Sequence, residues 1–268
     1  MTQLRALSWG VGVQSTALAV MSALGELPKL DIIITADTGW ERQATYEIRD
    51  FYQPWLENRG IKVEIVGGRD IRQEGAHDHI HIPFWTSTGG PLRRQCTRDF
   101  KIRPIKRRLR ELAGFHRSLP PNPPANLIEL WLGISWDESE RMNKSRVAFI
   151  NHRWPLLETR ISREACINYL REKRLPVPIK SACIGCPYRL ASEWIEMRES
   201  TPAEFADAVA FDEENRHNPL AATGSTADLI YIYKQAIPLA TADLEAHAAR
   251  ERQFKQMSLL CDTGYCHV

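Results

Sequence analysis

Between the apolar run Leu4 to Leu7 and an apolar-periodic run beginning at Ala17 stands the segment Ser8-Trp9-Gly10-Val11-Gly12-Val13-Gln14-Ser15-Thr16. An apolar run, a loop of small residues and a helix start make a strand, a turn and a helix. The two glycines let backbone N–H groups come close to a ligand, and the helix N-terminus behind them carries partial positive charge, so the place suits a phosphate or pyrophosphate. A Walker loop would end in Gly-Lys-Ser/Thr, and a dinucleotide fingerprint would bring a third glycine in step; this segment does neither. The plainer alternative is a tight glycine turn ahead of an ordinary helix.

The alternation continues along the chain. Gln14 to Leu24 reads as a helix, Leu30 to Ala36 as a buried strand, Arg42 to Asn58 as a helix, Ile61 to Val66 as a strand and Asn126 to Gly133 as another. Such alternation predicts a doubly wound α/β fold, Rossmann-like, with a mostly parallel sheet covered on both faces and ligands beyond the carboxyl ends of the strands. Two stretches, 67–95 and 118–125, are expected to be irregular, the second because its repeated prolines remove donors and fix the backbone. From Ser162 onward the pattern turns helical, over Arg163 to Lys173, Ala191 to Glu199, Pro202 to Asn215 and Thr241 to Leu259. The expected division is therefore a nucleotide-binding domain over residues 1–160 and a helical C-terminal subdomain over 161–268.

With 43% hydrophobic and 25% charged residues over 268 positions, the chain is long and apolar enough for a full core. A net charge of +2 does not by itself announce a polynucleotide binder. The charge is unevenly spread, however: nine Lys and Arg fall between Arg93 and Arg110 against one acid, Asp99. That concentration fits either a phosphate-bearing partner or a solvated helix face. No basic start leads into a long apolar stretch and no run reaches membrane-spanning length, so the expectation is a cytoplasmic protein without a membrane partner. In that compartment six cysteines point to metal or redox chemistry rather than to a disulfide framework.

Cys183-Ile184-Gly185-Cys186-Pro187 sets two thiols on one turn, a spacing that serves one metal ion or one cluster edge. Together with Cys96, in its basic segment, they would make a three-cysteine set able to hold a 4Fe–4S cluster with one iron open; a structural Zn²⁺ would use the same thiols, and Cys261 or Cys266 offers a fourth ligand. Cys166, on an amphipathic helix, reads as a small buried hydrophobe. His77, His79 and His81 alternate, as metal ligands on one strand face or as members of a polar loop. After the strand that ends near Leu132, Asp137, Glu138 and Arg141 are placed to position Mg²⁺ or a substrate phosphate, or else to open a helix.

These segments resemble the PP-loop superfamily, the adenine nucleotide alpha hydrolases together with the phosphoadenosine phosphosulfate reductases. Gly10, Gly12, Ser15 and Thr16 match the SGGxDS-type loop, with Gln14 where an acid is usual. Asp37-Thr38-Gly39 is similar to the D-T-G segment after the second strand, and Gly133 to Ser139 resembles a G-x-R-x-x-E-S segment with Ser135 in place of Arg. Cys96 followed by Lys101 and Pro104 is similar to a K-x-x-P segment of assimilatory sulfate reductases and of DNA phosphorothioation ATP pyrophosphatases, with Thr97 where iron–sulfur reductases carry a second cysteine. The resemblance implies an adenine nucleotide alpha hydrolase type of fold and an ATP pyrophosphatase that adenylates a nucleic acid, DNA before tRNA, for sulfur insertion. Ser8, Gly10, Gly12, Gln14, Ser15, Thr16 and Gly133 would then hold ATP, and Asp37 its nucleoside. Lys101, Asp137, Glu138 and Arg141 would act with Mg²⁺, and Cys96, Cys183 and Cys186 would carry the cluster. A cysteine desulfurase and other proteins of a modification complex are the implied partners. The alternatives are a reductase or sulfotransferase acting on phosphoadenosine phosphosulfate through Cys266, and a noncatalytic, zinc-stabilised nucleotide-binding module.

Overall fold

The computed structural model describes residues 3–116, 120, 123–221 and 229–257, the last four by their backbone alone. Cys261, Cys266 and the end of the helix expected to reach Leu259 lie outside the described residues. The chain forms two compact units: one takes the residues up to Gly68 and Phe100–Ser181, the other Arg69–Asp99 and the residues from Ala182 onward.

The first unit alternates strand and helix: β1 (Leu4–Ser8), α1 (Val13–Ala23), β2 (Ile32–Asp37), α2 (Gln43–Glu57) and β3 (Lys62–Gly67). The alternation resumes in this unit after the chain's excursion into the second, where α3 (Ile71–Glu74) and β4 (Trp85–Thr86) lie. It continues with α4 (Arg103–Leu112), β5 (Ile128–Leu132), β6 (Ile150–Arg153), α5 (Pro155–Glu158) and α6 (Arg163–Glu172). Five strands join in the order β3-β2-β1-β5-β6, all parallel. The doubly wound α/β sheet expected from the apolar runs is thus present.

Successive strand residues point to opposite faces, and the core divides accordingly. Leu7, Ile33, Val63 and Trp131 pack with α1, with Tyr52 and Leu56 of α2, and with Cys166 and Leu170 of α6. On the other face Ala6, Ile32, Ile34 and Leu130 pack with Ile105 and Leu109 of α4. α6 therefore continues the first unit past residue 160, because its apolar side closes over α1. The basic stretch ending at Arg110 becomes α4 in part: Ile105 and Leu109 turn inward, while Arg108 grips Glu64 of β3 at 2.5 and 3.0 Å.

In the second unit α7 (Ala191–Ser200) meets both α8 (Pro202–Asn215) and α9 (Leu244–Met257), and β4 pairs antiparallel with β7 (Ile230–Tyr231). Asp212, 1% exposed, organises the return of the chain there by accepting the N–H groups of Ile232 (2.7 Å) and Leu239 (3.0 Å) and the Arg216 guanidinium. Phe84 stacks on Phe211 with ring centroids 5.7 Å apart. Arg72 binds Asp207 and Glu214 beside them. The stretch 67–95, expected to be irregular, contains the last residue of β3, then α3, β4 and connecting loops.

The Arg108 guanidinium holds the Glu64 carboxyl down at about 2, against an ordinary 4.5, with Lys62 assisting. A depressed acid stabilises the fold above its unfolded value and loses that contribution as pH falls through its folded value. Arg108→Met is therefore expected to cost roughly 2 kcal/mol at pH 7 in urea melts. The variant should also lose less further stability than the parent between pH 4.5 and 2; identical acid profiles would show the pair to be idle.

Candidate functional site

Where the strand order reverses, between β1 and β5, two chain segments leave the sheet in opposite directions and open a crevice at their carboxyl ends. The β1–α1 loop fills one side. Trp9 is fully buried and fastens the loop twice, donating its backbone N–H to Ile34 O (2.9 Å) and its indole Nε1 to Thr16 Oγ1 (2.9 Å). Val11 is left-handed, φ 55°, with its side chain buried in the core; a β-branched residue there is strained and is held by its packing. Gly12 is the N-cap of α1 and offers no side chain to its first-turn N–H groups, so these are directed to solvent or to an anion. Around Gly10, which is exposed, an added Cβ would meet nothing within 4 Å.

The other side of the crevice is the segment after β5. A Cβ on Gly133 would stand 2.7 Å from Ser15 N and 2.9 Å from Ser15 Cα, so only glycine lets this strand end lie against the first turn of α1. Gln14 then bridges the two segments, its Nε2 donating to Glu138 Oε2 at 3.1 Å and to Ser135 Oγ at 3.5 Å. Arg141 Nη1 shares that Glu138 oxygen at 2.8 Å.

Of the residues expected to bind or act on a nucleotide, Ser8, Gly10, Gly12, Gln14, Ser15, Gly133, Glu138 and Arg141 belong to this crevice. Thr16 is fully buried and receives the Trp9 indole, so it braces the loop from behind. Ser15 donates its hydroxyl to Gly12 O at 3.2 Å. Asp137 accepts the backbone N–H of Arg163 at 2.9 Å and so helps to start α6. At the end of β2, Asp37 is held by Gly39 N (2.8 Å), Tyr46 OH (3.1 Å) and Arg49 Nη1 (3.0 Å). Burial, opposed by the Glu41 backbone N–H and reinforced by Asp37, pushes the Tyr46 phenol up to about 12, so it remains a neutral donor. Lys101 Nζ lies 2.7 Å from Glu41 Oε1, which also receives Thr38 Oγ1 at 3.0 Å. Glu41 and Trp9, which carry these contacts, had no signal in the sequence beyond adjacency to a motif.

The thiols Cys96, Cys183 and Cys186, all reduced and half-buried, belong to the second unit. Cys186 N–H closes the C-x-x-C turn on Cys183 O at 3.2 Å. Arg189, 3% exposed, donates to the carbonyls of Ala182 (3.2 Å), Cys183 (3.0 Å) and Ile184 (3.3 Å). Trp85 Nε1 donates to Pro187 O at 3.1 Å. Burial raises the Cys186 thiol above its ordinary 9.0 and Cys96 raises it further, against the pull of Arg189 and Arg94. Cys96 N–H donates to His81 O at 2.8 Å. His81 Nδ1 faces Asp99 Oδ2 at 2.9 Å, and His79 Nε2 meets Gln95 Nε2 at 2.6 Å, so these imidazoles are tied into a polar loop. Among the described residues no group of three or more His, Cys, Asp or Glu is arranged to hold a metal ion. Cys166 is fully buried in the core, its thiol pushed up to about 12 by that burial.

Arg189 braces the C-x-x-C turn through three carbonyls, beside the Cys186–Cys183 turn bond and the Trp85 contact with Pro187, and its position just past Pro187 was the one sequence cue to it. Arg189→Met is expected to cost about 2–3 kcal/mol in urea denaturation, since three carbonyls lose a charged donor at once. A change under about 0.5 kcal/mol would mean that the turn stands without the guanidinium.

No protein-family model matches this chain, and no curated protein does. Among solved structures it is similar to the phosphoadenylyl-sulfate (PAPS) reductase from Candida auris, in a phosphate complex. That similarity covers 66% of this chain and 76% of that one at 12% identity, with a TM-score of 0.43.

Proposed function

We propose that this chain binds ATP in the crevice between the β1–α1 loop and the segment after β5, and uses it to adenylate an oxygen of a nucleic acid that is then replaced by sulfur. The observation that supports this most is the contact of Gly133 with the first turn of α1 at the point where the strand order reverses, since open α/β sheets bind their ligands there. An uncapped helix start behind two glycines suits the phosphates.

In the proposed reaction an acceptor oxygen attacks the α-phosphorus, the bond to the bridging oxygen breaks, and pyrophosphate leaves with that bond's electron pair. Charge builds on the leaving group, where the α1 N–H groups and Arg141 are in place to take it. Mg²⁺ would arrive as part of the Mg·ATP substrate. Glu138, an oxygen donor beside the α1 start, is suited to share that ion. The terminal sulfur of a persulfide supplied by a cysteine desulfurase would then attack the acceptor atom, AMP would leave with the electron pair of its bond to that atom, and a thiol reductant would cleave the resulting disulfide to leave the thio group on the acceptor. Cys96, Cys183 and Cys186, all in the second unit, are the thiols that would hold a cluster or a zinc ion.

The test is calorimetric titration with Mg·ATP, together with pyrophosphate release in the presence of DNA, tRNA and a desulfurase. Gly10→Ala should leave the melting temperature unchanged, because the new methyl meets no protein atom. It should nonetheless weaken ATP binding about tenfold or more by occupying phosphate space, a loss of about 1.4 kcal/mol. Unaltered ATP affinity in this variant, or no ATP binding by the parent chain, would overturn the reading. In Gly133→Val both ATP affinity and stability should fall, as the side chain drives β5 and α1 apart.

A further inference from the structure

We infer that Trp136, with the Arg160 guanidinium over it, is a stacking platform for a base of single-stranded nucleic acid, placed on the acceptor side of the crevice. The inference rests on the proposed nucleotide site for its setting and on separate residues for its substance. Trp136 is 49% exposed and Met142, which caps the end of the short helix Trp136–Arg141, is 50% exposed, although large apolar side chains are costly to leave in water. This exposure does not come from a loose loop. Trp136 N–H donates to Ile161 O at 2.9 Å, and the next residue, Asp137, accepts Arg163 N–H at 2.9 Å, so the turn is fastened at two successive positions. Arg160 is left-handed, φ 54°, and its guanidinium carbon lies 5.4 Å from the Trp136 ring centroid. The left-handed residue closes α5, with Ile161 N–H on Leu156 O at 2.8 Å, and so fixes the backbone from which the Arg160 cation reaches over a clamped, half-exposed indole.

A rigid aromatic ring loses little entropy on stacking, and a neighbouring guanidinium both polarises the stack and attracts phosphate. Asp137, Glu138 and Glu140 are balanced over this stretch by Arg141, Lys144 and Arg146, the last two exposed, so the attraction for phosphate at the ring itself comes from Arg160. Its place also favours the acceptor. Glu138, two residues on, touches Gln14 in the first turn of α1. β5 flanks β1 on the side away from β2, whose end carries Asp37, the residue expected at the nucleoside of ATP.

Fluorescence anisotropy with a labelled single-stranded DNA dodecamer, and with its RNA counterpart, tests this alongside calorimetry with Mg·ATP. Trp136→Ala is expected to weaken oligonucleotide binding by about tenfold or more, Trp136→Phe to keep most of it, and Arg160→Gln to weaken it less, all with parental ATP affinity and melting temperature. The stronger-binding oligonucleotide identifies the acceptor type. Parental oligonucleotide binding by Trp136→Ala overturns the platform, as does a parallel loss of ATP, which would make the ring part of the nucleotide's own pocket. A parent chain that binds ATP but neither oligonucleotide also sinks this inference while leaving the nucleotide site standing. Trp136-dependent oligonucleotide binding without ATP binding does the reverse.

Discussion

The separation of β5 from α1 at the sheet's reversal point is set by an atom that is missing. With no Cβ on Gly133, the strand end comes to rest against the backbone of Ser15, where any other residue would collide at 2.7 Å. Everything read as a nucleotide edge follows from that approach. It puts Gln14 within reach of Glu138, brings Arg141 to the same carboxylate, and sets both beside a helix start whose N-cap, Gly12, has no side chain to cap it. Behind the loop, the bond from the Trp9 indole to Thr16 keeps the glycines from drifting, and the left-handed Val11 is held by its own buried side chain.

The polar groups at this edge divide into braces and groups left for a ligand. Asp37 already receives three donors, Asp137 starts α6, and Thr16 faces inward. Glu138 and Arg141 neutralise one another at 2.8 Å. A bound polyphosphate would compete for Arg141, and a divalent cation accompanying it would take up the carboxylate so released. The unliganded arrangement thus keeps a cation near the helix start without leaving it alone in a partly buried place.

The sheet was legible because its strands are short apolar runs bounded by loops, with an apolar-periodic stretch after each of the first two: Leu4 to Leu7 became β1, Leu30 to Ala36 became β2, and the intervening period-3.6 stretch became α1. Pro202 to Asn215 became α8 residue for residue, since proline opens a helix where its missing N–H costs nothing. β6 was not legible: Ile150-Asn151-His152-Arg153 is mostly polar and becomes a strand through pairing with β5. Nor was the membership of 69–99 in the second unit, which depends on contacts with residues far along the chain, such as β4 with β7 and Arg72 with Asp207 and Glu214. At the site, glycines at a strand end and a helix start carried a signal. Which hydroxyl or carboxylate braces the loop and which faces the crevice did not, because Thr16 and Ser15, or Asp137 and Glu138, are alike in sequence and differ only in the direction the backbone gives them.

Residue-resolved hydrogen exchange with and without Mg·ATP addresses the central claim most directly. The account predicts slowed exchange concentrated in the amides of residues 10–16 and 133–138, the two walls of one crevice. ATP that leaves both segments exchanging at their unliganded rates, or that protects a different part of the chain instead, would contradict it.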